Sequence, residues 1–344
     1  MTKTWTTYSC LTGLQIGTID NTVWCGGAVY TAQTMEPNFD DPAIAMAHRS
    51  AVRSIERVVA ETAPPTPDAA GRILEQLQDP KTLVITGAGI STDSGIPDYR
   101  SKHGRLTKGR PMTFQEFAHS PAQVHRYWAR AFVGTRYMRQ ARPNRAHFAL
   151  VELERAGLIR GIVTQNVDGL HTQAGSENVI ALHGDMEHVV CLDCKTLHER
   201  SLIDALLTAA NPTYFESVEV EGSMLNPDGD VELRQADVER FRMIACPTCH
   251  SHRLKPHVVY FGEGVPKGRR EAAAQWLAES TGVIAIGTSL AVMSGYKFIL
   301  DAKKQGKPTA VINGGPGRAD AKVDTLWRAR IADALDEVLD GLGL

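Results

Sequence analysis

Apolar and polar positions along this chain follow two alternating periods. The run over 81–86, KTLVIT, is continuously β-branched or apolar up to Gly87, the pattern of a strand buried on both faces. Further strand signals stand at 158–164, 178–182, 257–261, 282–286 and 309–312. Between them, residues 145–156 carry apolar positions at helical spacing. Residues 114–139, with HRYWARAFVG, are also helical in pattern and rich in aromatic rings. They read either as a mobile lid or as an insertion with its aromatics packed inward. Upstream, residues 42–62 predict a helix ended by Pro64, Pro65 and Pro67. Asp68 is placed to cap the next helix, which runs through Leu77 and breaks at Asp79-Pro80. Strand and helix alternating in this way predict an α/β fold, a Rossmann-like, doubly wound parallel sheet.

Two stretches fall outside that rhythm. Residues 1 to about 40 show no sustained period, so 1–67 reads as an N-terminal extension, partly disordered, with one helix. The main domain then covers 68–344. Within it the sequence turns polar between Cys194 and Cys246, with NPDGD a clear turn, so 187–256 reads as a small inserted module.

Cysteine usage gives that module its chemistry. Of six cysteines, Cys191/Cys194 and Cys246/Cys249 form two C-x-x-C pairs, whereas Cys10 and Cys25 stand alone. Each pair offers two thiolates to one ion, and two such pairs close a tetrahedral shell around a single Zn²⁺. A closed shell leaves no position for water, which makes the metal structural. His250 and His252 are the alternative ligands nearby.

The remaining candidates gather where strands end. Gly87 and Gly89 allow the backbone to turn sharply and approach a ligand, and free N–H groups in a loop opening a helix suit a pyrophosphate. The dehydrogenase fingerprint is incomplete, because Thr92 replaces its third glycine. Arg105, Lys108 and Arg110 stand where an acid would hold a ribose. Gln165, Asn166 and Asp168 follow one strand and offer amide and carboxylate partners, although Asp168 taken alone reads as the cap of a turn starting the next helix. Gly287-Thr288-Ser289 and Asn313-Gly314-Gly315 end two more strands and line the same edge. Histidine can accept a proton near neutrality, but position alone does not choose between His171 and His183.

The fourteen residues from Gly87 to Arg100, GAGISTDSGIPDYR, closely resemble the cofactor loop of the sirtuins, NAD-consuming protein deacylases. The resemblance runs over about 68–340. GISTDSGIPDYRS, RYWARAFVG, LHGDMEHVVCLDC, PDGDVEL and SGYKFI resemble the class II branch. It implies that Gly87, Ala88, Gly89, Thr92, Asp98, Tyr99, Arg100, Gln165, Asn166, Val167 and Asp168 contact NAD. Gly287, Thr288, Ser289, Asn313, Gly314, Gly315 and Ile331 are implied to complete that site. It also selects His183, in ALHG, as the general base acting on a ribose hydroxyl, with Asn166 positioning that ribose and His171 left as a loop residue. KPHVVYFGE resembles the substrate strand, so Val259, Phe261 and Gly262 are implied to hold an acyl-lysine peptide. The implied reaction passes the acyl group to ADP-ribose and releases nicotinamide. The alternatives are mono-ADP-ribosylation of a protein, or NAD sensing without turnover.

This chain departs from the family at Tyr99, where a phenylalanine is usual, and at Ser294, where a proline is common. It also lacks the tyrosine, between Arg100 and Pro111, of the element that reads acidic acyl chains. Uncharged acyl groups are therefore the expected substrates. A net charge of −2 implies no general affinity for nucleic acid, and no apolar stretch approaches the ~18 residues of a membrane span. A cytoplasmic location is expected, since the first residues lack the pattern of a signal peptide. The sequence carries no signal of oligomeric state.

Overall fold

The computed structural model describes residues 39–60, 63–107, 110–219 and 225–344, and upstream of them the backbone of four short strands. The chain separates into two units, residues 1–46 and 47–344. In the first, Tyr8–Ser9, Gln15–Ile19, Thr22–Cys25 and Ala28–Thr31 pair in consecutive antiparallel order. Strands of two to five residues are too short to show a period, so the sequence pattern missed them. The expectation of disorder there lies in part outside the described residues.

In the second unit six parallel strands form the main sheet. Their order is Val179–Ala181, Ile159–Thr164, Thr82–Thr86, Val283–Ile286, Thr309–Ile312, Thr325–Trp327. The chain therefore starts in the middle, builds outward to one edge, returns and builds to the other. That reversal falls between Thr82–Thr86 and Val283–Ile286, where the helices that follow the two strands diverge and leave a crevice at their carboxyl ends. The register pairs Thr86 with Ile286, so Gly87 and Gly287 leave the sheet side by side.

Alternation along the strands divides the core in two. Val84, Ile162, Ile284 and Ile312 face the helices Ala69–Gln78, Arg145–Arg155 and Ile331–Leu342. Leu83, Ile85, Val163 and Val311 face Lys267–Glu279 and Met293–Lys304. Leu83 and Ile85 have no exposed surface, and truncating either to alanine costs about 2–5 kcal/mol by the cavity it leaves.

A third cluster forms the small module. Its sheet runs Leu254–Val258, Gly184–Cys191, Leu197–Glu199, all antiparallel. This corrects the expected strand at 257–261. It begins three residues earlier and pairs across the insertion with Gly184–Cys191, instead of continuing the parallel sheet. The aromatic stretch forms the helices Phe114–His119 and Pro121–Met138, with Phe117, Tyr127, Trp128 and Phe132 buried against the module. Trp128 Nε1 donates to the Leu254 carbonyl at 2.8 Å. The reading with aromatics packed inward therefore describes this stretch.

Upstream, the predicted helix spans Pro42–Glu56, and Ala51, Ile55 and Val59 are buried. Asp68 does not cap by its side chain. It sits at φ 52°, and its carboxylate covers Gly71, where a Cβ would come within 2.6 Å of Oδ2. Among the described residues no helix is long and apolar enough to cross a membrane.

Candidate active site

The crevice floor is backbone. The Gly89 amide donates to the Gly287 carbonyl at 2.8 Å, tying the first loop to the fourth strand's loop. A Cβ on Gly89 would stand 2.8 Å from that carbonyl oxygen. One on Gly287, at φ 62°, would stand 2.5 Å from the Ile90 nitrogen. The chain beyond Gly87 forms two 3₁₀ turns, Ala88–Ile90 and Thr92–Ser94, and not the expected helix. The amides of Gly89, Ile90 and Ser91 donate to carbonyls within the protein, which corrects the picture of a loop of free N–H groups.

Side chains knit the second loop to the first. Gln165 Nε2 donates to the Thr86 carbonyl at 3.2 Å and to Thr288 Oγ1 at 2.9 Å. Asn166 Nδ2 donates to the Gly87 carbonyl and to Ser91 Oγ, both at 3.1 Å. Ser91 Oγ donates in turn to Asp168 Oδ2 at 2.7 Å, while Asp168 Oδ1 accepts from the Leu170 amide at 3.0 Å. Asp168 is thus both the turn cap and a partner of the cofactor loop. Ser91 was absent from the sequence-based site although it lies inside the matching string.

The two histidines separate clearly. His171 lies in the helix Leu170–Ala174, buried, with Nε2 2.9 Å from Thr86 Oγ1, and burial lowers its pKa to about 3. It is a core residue and not a loop residue. His183 lines the cavity, with Nδ1 3.0 Å from the Gln165 carbonyl oxygen and Nε2 2.8 Å from Ser294 Oγ. A carbonyl only accepts, so Nδ1 carries the proton and Nε2 presents the lone pair. Burial pushes the pKa of His183 down to about 4. The Gln165 carbonyl opposes that shift and Arg269 adds to it, so the ring is neutral at pH 7.

Across the crevice, the Tyr99 ring meets Phe261 edge to face, with centroids 6.2 Å apart. Burial raises the pKa of Asp98. Arg100 lines the cavity, but its N–H groups donate to the carbonyls of Ile55 (2.8 Å), Arg57 (2.8 Å) and Gly104 (3.0 Å). The far wall carries residues the sequence did not indicate, among them Ser54, Ile55, Tyr127, Pro227 and Asp228. Burial, then the neighbouring Asp230, raises Asp228 to about 8.

One cavity of about 790 Å³ takes in the glycine floor, the Gln165–Asp168 loop, His183 and the wall around Tyr99. Every residue implied to contact NAD lines it, from Gly87 to Ile331, as do His183 and the substrate candidates Val259, Phe261 and Gly262.

The four module cysteines converge separately. Cys191 Sγ lies 3.6 Å from Cys249 Sγ, and Cys194 Sγ lies 3.8 Å from Cys246 Sγ. Tetrahedral Zn²⁺ with bonds of ~2.3 Å has ligand edges of about 3.8 Å, so the tetrad fits one ion. Both knuckles fold alike: the Lys195 amide donates to the Cys191 carbonyl and the His250 amide to the Cys246 carbonyl. Lys195 and His250 take φ 64° and 60°. His250 and His252 are not among the clustered ligand atoms.

The model of the Sir2 family matches residues 87–294. The chain belongs to the Sir2 family, the sirtuins. The sirtuin is 57% identical to "NAD-dependent protein deacetylase 1" of Corynebacterium efficiens, over 79% of this chain and 97% of the relative. It is 44% identical to the human mitochondrial "NAD-dependent protein lipoamidase sirtuin-4", over 70% and 76%. Among solved structures, it resembles a chain described under the structural basis for the mechanism and regulation of Sir2 enzymes. That chain has 28% identity and a TM-score of 0.62, over 81% of this chain and 99% of the other. A Sir2 bound to acetylated peptide gives 25% identity and a TM-score of 0.59, over 79% and 98%.

Proposed function

We infer that this sirtuin is an NAD-dependent protein lysine deacylase with one structural Zn²⁺ held by Cys191, Cys194, Cys246 and Cys249. The observation that carries the reading is His183: a half-buried, neutral imidazole with its Nε2 on the same cavity as the glycine floor and the Gln165–Asp168 loop. NAD, when bound, supplies an activated ribose carbon and the ADP-ribose that accepts the acyl group. Gly87, Ala88, Gly89 and Thr92 would lie against it at the first loop, with Gly287 to Ser289, Asn313 to Gly315 and Ile331 along the rest of the edge. Asp168 accepts from a carboxamide N–H, and Val167 packs beside it. Asn166, held between the Gly87 carbonyl and Ser91, orients a ribose hydroxyl. His183 Nε2 takes the proton of that hydroxyl. Tyr99 and Phe261 close the wall against water.

The acyl-lysine enters past Val259, Phe261 and Gly262. Here the Val259 amide donates to the His183 carbonyl at 2.7 Å and so couples the substrate strand to the base. The reading extends to a cytoplasmic enzyme, and the net charge of −2 favours one without a nucleic-acid partner. Mass spectrometry of products from NAD and acyl-lysine peptides tests it. O-acyl-ADP-ribose with free lysine is expected, whereas a protein labelled with ADP-ribose and an intact acyl-lysine would overturn it.

A further inference from the structure

The hydroxyl of Ser294 reaches the reacting nitrogen of the site. Ser294 Oγ lies 2.8 Å from His183 Nε2, while the other ring nitrogen is held by the Gln165 carbonyl. Because Nδ1 is the donor, the bond at Nε2 is donated by the serine hydroxyl to the lone pair. We propose that Ser294 is a positioning residue for the base, pinning His183 by Nε2 in the resting site and accepting from the same nitrogen once it is protonated. The proposal rests on the reading of His183 as the base.

The surrounding chain is shaped to bring that hydroxyl in. Ser294 is the second residue of the helix Met293–Lys304. Gly295 follows it so closely against Gln165 that a Cβ there would stand 2.6 Å from Gln165 Oε1. A side chain at 295 would press on the Gln165 amide, one residue from the 2.8 Å contact. The helix also presents its positive end to the ring, which favours the neutral imidazole before the reaction. Gln165 therefore sits at the centre. Its carbonyl holds Nδ1, and its side chain is the surface on which Gly295 packs.

A hydroxyl suits this position because it can do two things in turn. Before transfer it donates to the lone pair. When a substrate O–H gives its proton to Nε2, the substrate oxygen keeps the bonding pair. For that transfer the serine O–H first rotates off the lone pair, and the serine oxygen then accepts from the new Nε2–H. That second bond is charge-assisted and roughly twice as strong as a neutral one, so it offsets part of the cost of a buried imidazolium. Proline could make neither bond.

Four measurements on the full-length enzyme test this. Ser294→Ala is expected to lower kcat roughly ten-fold, a part of the ~10²-fold or larger contribution of a general base, with KM for NAD and for acyl peptide unchanged. Ser294→Thr restores kcat, because the hydroxyl returns. In the ligand-free enzyme, ¹⁵N NMR of selectively labelled histidine should show His183 Nε2 as a hydrogen-bonded acceptor in the wild-type and Thr forms and as a free acceptor in the Ala form. In a His183→Ala background, Ser294→Ala should add no further loss. Wild-type kcat with an unchanged Nε2 signal in Ser294→Ala, or a further loss on top of His183→Ala, would overturn the proposal. If His183→Ala is itself fully active, the base assignment falls and takes the proposal with it. If His183→Ala is impaired and Ser294→Ala is not, only the proposal falls.

Discussion

The Arg100 guanidinium donates at 2.8 Å to the carbonyl of Ile55, in the last turn of the helix Pro42–Glu56. Carbonyls in a last helical turn lack intrahelical partners and carry the negative end of the dipole, so a cation belongs there. Arg57 and Gly104 carbonyls take its other donations, and the Val59 amide reaches Gly104. The cofactor loop is thus closed by a segment upstream of the family match at 87–294. Gly104 sits at φ 73°, and a Cβ there would overlap the Val59 carbonyl oxygen at 1.7 Å. Gly104→Ala must therefore displace residues 57–59, and we expect KM for NAD to rise several-fold with zinc content unchanged. Steady-state kinetics against NAD checks this, and an unaltered KM would separate the clamp from cofactor binding.

Removing the metal should unfold the module before it touches the chemistry. The cysteine tetrad ties the strands Gly184–Cys191 and Leu254–Val258 to the 246–249 knuckle, and a structural site of this kind contributes its binding energy to folding. Cys194→Ser is expected to lose the ion, lower the melting temperature and expose the cluster around Trp128. Metal analysis should find one Zn²⁺ per chain in the parent. An active, folded, metal-free protein would contradict the assignment.

Acid should destabilise this fold from a well-defined direction. His171 (to about 3), His147 and His183 (both to about 4) have pKa values lowered chiefly by burial. A lowered histidine pKa means that the unfolded chain binds protons first. The neutral rings therefore contribute fully above about pH 6.5, and that contribution is lost as pH falls toward 4. The melting temperature should drop across this window. His171→Gln should flatten part of the fall, and a melting temperature independent of pH between 6.5 and 4.5 would refute the argument.

We expect selectivity for the acyl chain to depend on Asp228, which lines the cavity. Its surroundings keep one carboxyl protonated at neutral pH, through burial and the nearby Asp230, and they disfavour a second carboxylate for the same reasons. Two of the cations after the cofactor loop that might have offset this stand away from the cavity, although Lys102, Arg270 and Arg330 do line it. Arg105 is exposed and does not line the cavity, Arg110 pairs with Glu116 at 2.6 Å, and Lys108 lies outside the described residues. We expect higher kcat/KM on acetyl- and lipoyl-lysine than on succinyl-lysine peptides. A succinyl preference in matched assays would reverse this reading.

The sheet was legible wherever a strand carried its own signal. The run at 82–86 is β-branched or apolar throughout and glycine-terminated, so the strand could be read directly, whereas its place at the switch point follows only from the strand order. Leu254–Val258 could not be placed, because what decides its partner is a strand more than sixty residues upstream. The cofactor loop was legible as a string, and the tetrad as a spacing. Ile55 and Asp228 were not: one apolar helix position looks like another, and a lone acid in a turn says nothing about which cavity it reaches. Ser294 was visible only as a departure, since the 2.8 Å bond it makes depends on how closely Gly295 seats the helix.

The floor formed by Gly87, Gly89 and Gly287 has a consequence for how such an enzyme can diversify. No side chain fits there, so the part of the site that faces the unchanging portion of the cofactor is closed to drift. The walls come instead from separate excursions of the chain, around residues 54–55, 99–106, 227–228 and 291–294. New substrate preferences have to be written on those four margins, and the first two must change together, since Arg100 joins the 99–106 loop to the Ile55 carbonyl.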